Sequence, residues 1–315
     1  MMPKPDMLQA LENELGVARL ERNVPLAPLT TFRVGGPADL LYRATTADEL
    51  VRAIQIAKAL EIPYFLLGRG ANILVADKGY RGLVIRSEVG GIDFLDSERV
   101  IAGAGVDTFP DLIDATVSRE LGGLHHFVGI PSTVGGALWQ NLHFLSPAPE
   151  RERTVFIEEF LESAEILTWD GDRRTVPVEY FRFGYDHSIL HEQSDVVLSA
   201  TFHLNPTPLE ELQRVIRENL AWRDERHPDL WLYPCVGSIF KKIEGIGAGR
   251  LIDECGLKGH VHGKAGIFHK HANIIVNLGG AKASEVLRLI DLARDTVAQE
   301  TGYELIPEIT FVGDF

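Results

Sequence analysis

The stretch GIPSTVGGALWQNLHF, at residues 129–144, sets three glycines around a Pro-Ser-Thr turn. Glycine has no side chain, so Gly129, Gly135 and Gly136 allow a flat or charged ligand to lie against the main chain. Thr133 adds a hydroxyl group that forms hydrogen bonds. By itself the stretch is equally typical of a glycine-rich bend between a strand and a helix.

Two further glycine-rich loops precede this stretch. GRGANILV, at residues 68–75, follows a short apolar run, and RVGGP, at residues 33–37, ends an extended segment. Neither is a Walker loop, and neither is a G-x-G-x-x-G that opens a helix. Each loop alone is typical of an ordinary tight turn. Three of them in the N-terminal half of the chain favour one extended diphosphate ligand, held by backbone N–H groups.

Strand and helix patterns alternate from the N-terminus to about Ile85, which indicates an α/β or α+β unit. Thr46 and Glu49 stand at capping-box spacing before an apolar helical repeat. ESAEILTWDGDRRTVP, at residues 162–177, alternates on both sides of Asp-Gly and predicts a hairpin. The other predicted elements are helices at residues 6–16, 108–121, 209–224 and 248–255, a long helix capped by Ser284, and a strand near the C-terminus.

Composition excludes several classes of protein. The chain has 315 residues and a net charge of −14, which argues against broad nucleic-acid binding because phosphate backbones need a basic face. The N-terminus lacks an apolar signal core, and no apolar run is long enough to span a membrane. Cys235 and Cys255 form no CxxC, so we expect two reduced thiols in a soluble, cytoplasmic protein.

Two polar residues in the C-terminal half stand out as candidates for acid–base chemistry. Ser238, in GSIFKK, lies between a glycine and an apolar pair, with Lys241 and Lys242 behind it. Glu308, in LIPEITF, is a carboxylate among apolar residues, where its proton affinity is open to change. A serine turn and an outward-facing strand residue are the plainer interpretations of these two positions.

The histidines do not suggest a metal centre. All eleven lie between His125 and His271. HKHAN, at residues 269–273, places two of them at i,i+2 spacing in a strand-like segment without acidic partners, which is a weak metal signal. We therefore predict no bound metal.

Taken in order, these motifs resemble one family. NVPLAPLTTFRVGGPADLLY, GRGANILVADKGYRGLVI, AGAGV, GIPSTVGGA, GSIFKK, AGRLIDECGLKG, HANIIVN and LIPEITFVGDF are similar to the UDP-N-acetylenolpyruvoylglucosamine reductases, also called UDP-N-acetylmuramate dehydrogenases. The resemblance implies an α+β fold: a two-subdomain FAD-binding half of the vanillyl-alcohol-oxidase (PCMH) type, followed by an α+β substrate-binding domain. The expected divisions are residues 1–95, 96–205, 206–304, and 305–315 as a strand returning to the first subdomain.

The same resemblance implies FAD as cofactor and NADPH as hydride donor in peptidoglycan precursor synthesis. No histidine precedes His125, so the first subdomain has none to link to a flavin, and the FAD is expected to be non-covalent. The residues carried over as FAD-binding are Arg33, Gly35, Gly36, Gly68, Gly70, Ala71, Asn72, Gly129, Ile130, Thr133, Gly135 and Gly136.

The resemblance also assigns roles around the substrate, which would be the enolpyruvyl ether of a UDP-sugar. Ser238 matches the proton donor, and Glu308 matches the carboxylate that supports the enolate-like intermediate. Tyr185, Arg226 and Lys241 match substrate-binding positions. A monomer with no nucleic-acid or membrane partner is expected.

This chain departs from the family pattern in two places. The family has a Tyr-Arg pair where this chain has Tyr185-Asp186, and Asp186 repels a substrate carboxylate that an arginine attracts. His187, Arg182 and Arg250 are candidate replacements for that cation. After the glycines of residues 129–137, Trp139, His143 and Phe144 either reshape the wall near the flavin or pack as core.

Two other functions are consistent with these departures. One is a flavin oxidoreductase of the same fold with another substrate. The other is a flavin- or nucleotide-sugar-binding protein without catalysis.

Overall fold

The computed structural model describes residues 5–148, 150–243 and 245–315. Its α-helices are α1 Pro5–Leu15, α2 Ala47–Ala59, α3 Ile113–Val117, α4 Val134–Gln140, α5 Leu209–Arg226, α6 Ala248–Glu254 and α7 Ala283–Thr301. No helix within these ranges combines the length and the apolar character needed to cross a bilayer.

The strands are short. They are β1 Leu20–Pro25, β2 Pro37–Ala44, β3 Tyr64–Leu67, β4 Ile73–Val75, β5 Tyr80–Ser87, β6 Ile92–Phe94, β7 Arg99–Gly103, β8 Leu121–Gly122, β9 His143–Leu145, β10 Thr154–Phe156, β11 Leu161–Leu167, β12 Arg173–Pro177, β13 Val196–His203, β14 Asn205–Pro206, β15 Val261–His262, β16 Ala265–Ile267, β17 Ile275–Asn277 and β18 Thr310–Val312.

The first sheet has the order β1-β2-β5-β3. Strands β2, β5 and β3 run parallel, and β1 is antiparallel to β2. The apolar runs of β2 and β5 are buried along most of their length, as expected for parallel strands covered on both faces. Leu50 and Ile54 of α2 pack into the core beside this sheet.

The second sheet is antiparallel and has the order β12-β11-β13-β7-β6. The predicted hairpin is present as β11 and β12, and the Thr168 amide donates to the carbonyl of Asp172 at 2.8 Å across its turn. Helix α4 contacts β13 and β7, so the glycine-rich stretch that precedes α4 lies over this sheet.

The third sheet, β15-β16-β17, packs with α6 and α7 around a separate core. The chain then crosses back, because β18 pairs in parallel with β4 in the first half of the chain. Asp77 strengthens this crossing: its carboxylate accepts hydrogen bonds from the amides of Ala283 and Ser284 at 2.7 and 3.1 Å. The four-part domain division expected from the resemblance stays a prediction.

Three local predictions needed correction. The helix predicted from Thr108 to about Leu121 is an irregular turn followed by α3, which ends at Val117 because residues 121–122 pair with β14. Helix α7 begins at Ala283, and the Ser284 hydroxyl donates to Asp77 instead of capping the helix.

The third correction concerns the capping box at the start of α2. Thr46 accepts from the Glu49 amide at 3.2 Å as predicted. The Glu49 carboxylate, however, bonds the amide and hydroxyl of Thr45, both at 2.9 Å. The box is therefore half formed.

Candidate active site

The segment that carries Ser238 is held by the side chain of Asn273. This buried amide accepts from the Phe240 N–H at 2.9 Å and donates to the Phe240 carbonyl at 2.8 Å. The Ile239 amide donates to the backbone carbonyl of Asn273, also at 2.8 Å. Ser238 is partly exposed beside this clamp, so its hydroxyl has a fixed backbone beneath it.

Glu308 lies against the same segment. Its amide donates to the carbonyl of Ile239 at 2.9 Å, and the Lys241 amide donates to the carbonyl of Ile306 at 2.8 Å. The neighbour of Ser238 therefore bonds directly to Glu308, although the two positions are far apart in the sequence. The geometry brings both candidate acid–base residues into one place.

The Glu308 carboxyl has an altered proton affinity. Burial and the neighbouring carboxylate of Asp186 raise the pKa of Glu308 to about 9, against a smaller opposing effect of the Lys241 ammonium. Glu308 is half-buried and precedes β18, so it is not an outward-facing strand residue, and the raised pKa favours its protonated form at neutral pH.

Asp186 occupies the tip of a tight turn closed by two hydrogen bonds between Gly184 and His187. Its φ of 52° lies in the left-handed region, and the side chain is only 7% exposed. Among the described residues, its Oδ2 has no hydrogen-bond partner. The buried Asn141 amide donates to the Gly184 carbonyl at 3.0 Å and fixes the turn.

The aromatic residues that follow the glycines of residues 129–137 have different roles: some pack in the core and others line the candidate site. Phe144 is buried and packs edge-on against Trp222, so it belongs to the core. His143 stacks against Tyr185 with ring centroids 4.6 Å apart, and its Nδ1 is 3.8 Å from Asp186 Oδ1. Trp139 stacks on His191 at 4.4 Å and is 39% exposed.

The cations near Asp186 differ from those expected. Arg250 is exposed and bonds Glu254 at 2.7 Å, Arg182 is exposed, and His187 contacts Glu192 at 3.2 Å. Lys241 is the cation whose charge acts on Glu308. Arg226 lies over the ring of Trp222, 4.8 Å from its centroid, and pairs with Glu225.

The predicted cofactor loops contact one another. A side chain at Gly68 would come within 2.6 Å of the Thr133 hydroxyl, so the loop after β3 packs directly on the start of α4. Gly36 is equally confined, because a side chain there would meet the Asp77 carbonyl at 2.1 Å. A Cβ at Gly35 would lie 2.6 Å from that of Val75.

The hydrogen bonds of these loops show which backbone groups are free. In the described chain, the amides of residues 69–72 donate to no backbone carbonyl. The amides of Gly135 and Gly136 are engaged by the Ala104 carbonyl and the Thr133 hydroxyl at 2.9 and 3.3 Å. These two glycines therefore permit close approach, whereas residues 69–72 offer the free donors. Together the loops fit an elongated diphosphate ligand such as FAD.

Two of the predicted cofactor residues connect the glycine-rich loops to the rest of the site. The Asn72 amide side chain donates to the Glu308 carbonyl at 3.2 Å. Arg33 stacks over Trp231 at 5.2 Å, and its carbonyl accepts from the Asn277 side chain at 3.1 Å. Gly70 adopts a positive φ of 64°. Ala71, Gly129 and Ile130 are partly buried.

Sequence reasoning missed three residues of this region. Asn273 and Asn277 are buried amides whose partners come from distant segments. Arg223 lies beside Gly129, and burial lowers the pKa of its guanidinium to about 10. The one available signal was polarity inside apolar runs, as with the two asparagines of HANIIVN. Among the described residues, no three His, Cys, Asp or Glu side chains gather as metal ligands.

Comparisons with known proteins agree with this arrangement. Residues 38–176 match the FAD binding domain, and residues 228–312 match the UDP-N-acetylenolpyruvoylglucosamine reductase, C-terminal domain. The UDP-N-acetylenolpyruvoylglucosamine reductase of Moorella thermoacetica is 37% identical, over 98% of this chain and 99% of its own length. The chain belongs to the UDP-N-acetylenolpyruvoylglucosamine reductase family.

Two further relatives in the family are similar over nearly their full length. The Rubrobacter xylanophilus reductase is 38% identical, over 92% of this chain and 94% of its own. The crystal structure of UDP-N-acetylenolpyruvylglucosamine reductase from Thermus caldophilus has a TM-score of 0.76 at 34% identity and covers 93% of this chain. These findings confirm the predicted family, the α+β fold with its FAD-binding half, and an FAD-dependent oxidoreductase of this type.

Proposed function

We propose that this chain reduces the enolpyruvyl ether of UDP-N-acetylglucosamine to UDP-N-acetylmuramate, with NADPH as reductant, in peptidoglycan precursor synthesis. The observation that carries the proposal is the backbone hydrogen bond between Glu308 and Ile239, the neighbour of Ser238, which brings these two chain segments together in a reductase-family chain. The enzyme acts as a cytoplasmic monomer on a free nucleotide sugar.

FAD supplies the hydride-transfer chemistry when it is bound. Residues 69–72 would hold its diphosphate through their free amide groups, and the glycines at 35, 36 and 68 would let the main chain approach it closely. Thr133 fixes the start of α4 against the Gly68 loop. Arg33, Ile130 and the glycines at 70, 129, 135 and 136 complete the binding surface.

Ser238 delivers the proton to the carbon next to the substrate carboxylate. An alcohol is a poor acid in water, so the step requires a site that stabilises the charge that develops. The raised pKa of Glu308 favours its protonated form at neutral pH, and the Lys241 ammonium acts on the same carboxyl group. These groups favour the added negative charge of an enolate-like intermediate. Tyr185 and Arg226 are the further residues that would bind the substrate.

The direct test mixes FAD-loaded protein with NADPH and the enolpyruvyl UDP-sugar and follows NADPH absorbance together with the product. We expect NADPH consumption that depends on the sugar and forms UDP-N-acetylmuramate in equal amount. NADPH consumption that is the same with and without the sugar would reject the proposal.

A second candidate function rests on the buried acid at position 186. An aspartate there favours a substrate without a carboxylate at that point, so a flavin oxidoreductase with another substrate is the alternative. Photoreduced protein separates the two, since the enolpyruvyl UDP-sugar should reoxidise it. Reoxidation by a different compound, with no response to the UDP-sugar, would select the alternative.

The contact between Gly68 and Thr133 gives a prediction about the cofactor. Gly68→Ala places a methyl group against the Thr133 hydroxyl, so we expect FAD affinity to fall by about tenfold or more as the loop moves. Adding Thr133→Ala removes that clash and should recover part of the affinity, although the α4 cap is lost. Equilibrium dialysis of FAD measures both effects. Equal FAD affinity in wild-type and Gly68→Ala protein would show that this loop does not hold the cofactor.

A further inference from the structure

Two carboxyl groups meet in the candidate active site. Asp186 is buried at the tip of its turn, and its side chain is within hydrogen-bonding reach of the half-buried Glu308 carboxyl. Asp186 Oδ2 has no hydrogen-bond partner among the described residues. An ionised carboxylate with a buried, unbonded oxygen next to a second carboxylate is strongly disfavoured, because the two charges repel each other and burial weakens the solvation of Asp186.

His143 does not satisfy Asp186. Its Nδ1 lies 3.1 Å from the Asn141 carbonyl, which only accepts, so the ring proton at Nδ1 is donated there. The 3.8 Å separation between Nδ1 and Asp186 Oδ1 is beyond hydrogen-bonding range. A donor for the free oxygen of Asp186 has to come from another group.

Within the described residues, Lys241 is the cation whose charge opposes the raised pKa of Glu308. The titratable and charged groups around Asp186 and Glu308 are Tyr185 on the same turn, His143 from β9, His187 and His191 near Trp139, and Lys241. Burial lowers the pKa of His191, so this imidazole is a weak source of positive charge. A proton on one of the two carboxyl groups both removes the repulsion and supplies the missing donor.

We propose that Asp186 and Glu308 share one proton at neutral pH, and that an anionic carboxylate ligand binds to this pair by taking up a second proton. The inference about the ligand rests on the proposed function, whereas the shared proton does not. Asp186 then has two roles: it sets the protonated state of Glu308, and it contacts the ligand carboxylate itself. The pair would bind the ligand carboxylate through O–H donors, whereas a cation at position 186 would bind it through its charge.

The repulsion explains the second proton. A substrate carboxylate in contact with an ionised Asp186 would be repelled, because two like charges at close range in a poorly solvated site strongly disfavour each other. Protonating Asp186 removes that repulsion and leaves two O–H groups that donate to the incoming carboxylate. Charge-assisted O–H···O⁻ hydrogen bonds of this kind are short and strong. Ligand affinity must therefore decrease as the pH rises.

The first experiment tests the shared proton without any substrate. Isotope-edited infrared spectroscopy of the FAD-loaded protein should show a protonated carboxyl band at neutral pH that disappears on alkaline titration. Glu308→Gln should remove the band. Asp186→Asn, which suits a positive φ, should lower the titration midpoint by about one pH unit or more because the repelling carboxylate is gone.

The control is Glu304→Gln, which removes an exposed carboxyl of the same C-terminal segment and should leave the band unchanged. A merely structural Asp186 would not move the titration midpoint. Absence of a Glu308-dependent band at neutral pH, or an identical midpoint in Asp186→Asn, would overturn the shared proton.

The second experiment measures binding of UDP-N-acetylmuramate by calorimetry in two buffers that differ in ionisation enthalpy. We expect uptake of about one proton per ligand and affinity that falls up to about tenfold per pH unit in the alkaline range. Asp186→Asn should take up less and lose affinity more gradually. Binding without proton uptake would overturn the inference about the ligand, whereas no binding of any UDP-sugar would reject the proposed function and leave the infrared result standing.

Discussion

Replacing Ser238 with alanine is expected to lower the rate of sugar reduction by about 10²–10⁴-fold, while reduction of the flavin by NADPH is unchanged. In the proposed mechanism the Ser238 hydroxyl delivers the proton, so its loss would leave the carbon next to the substrate carboxylate without a donor. The backbone around position 238 is held by Asn273 through its neighbours Ile239 and Phe240, so the substitution should not disturb the fold.

Stopped-flow absorbance resolves the two half-reactions in this variant. Flavin bleaching by NADPH should follow the wild-type time course, and reoxidation on addition of the enolpyruvyl UDP-sugar should be slow. Ser118→Ala, at an exposed serine in the FAD-binding half, serves as the matched control. Wild-type turnover in Ser238→Ala would contradict the assignment of the proton donor.

Replacing Asn273 with leucine is expected to have the largest effect on stability, lowering the free energy of unfolding by about 2–4 kcal/mol. The leucine fills a similar volume but leaves the Phe240 N–H and C=O without partners in a buried place, and each unsatisfied backbone group costs about 1–3 kcal/mol. The segment that carries Ser238 would loosen with it. Sugar reduction should therefore fall even where the protein remains folded.

Urea and thermal unfolding measure the stability effect, and dialysis measures FAD retention. FAD affinity should be preserved, since Asn273 contacts the segment around Ser238 and not the glycine-rich loops. Asn205→Leu changes an exposed asparagine in β14 and is expected to be nearly neutral. Unfolding that is the same in Asn273→Leu and wild type would show that the Asn273 clamp contributes little.

The two variants together distinguish a residue that takes part in the reaction from a residue that only stabilises the fold of the site. Ser238→Ala should be stable and inactive toward the sugar, whereas Asn273→Leu should be unstable and slow. The same effect on stability and rate in both variants would mean that Ser238 acts through the fold and not as a donor.

Local sequence patterns were sufficient to predict the glycine-rich loops and the hairpin. An Asp-Gly turn between alternating strands specifies its own partner, because the two strands are neighbours in the chain. The helix at Ala47–Ala59 was equally predictable, since its apolar repeat and Thr46 cap lie within one segment. The helix predicted to reach Leu121 was not, because residues 121–122 pair instead with β14, a strand that lies far away in the sequence.

The order of the motifs by itself determined the family, the α+β fold and the FAD-binding half. Each motif reflects a local requirement of the backbone, and the sequence shows that requirement directly in its glycines, prolines and apolar spacing. Only the tertiary structure decided three contacts. The Glu308 amide bonds to the neighbour of Ser238, the buried Asp186 lies near Glu308, and Arg223 lies beside Gly129. Proton affinities depend on burial and on charges brought together from distant segments, and neither quantity is written in local sequence.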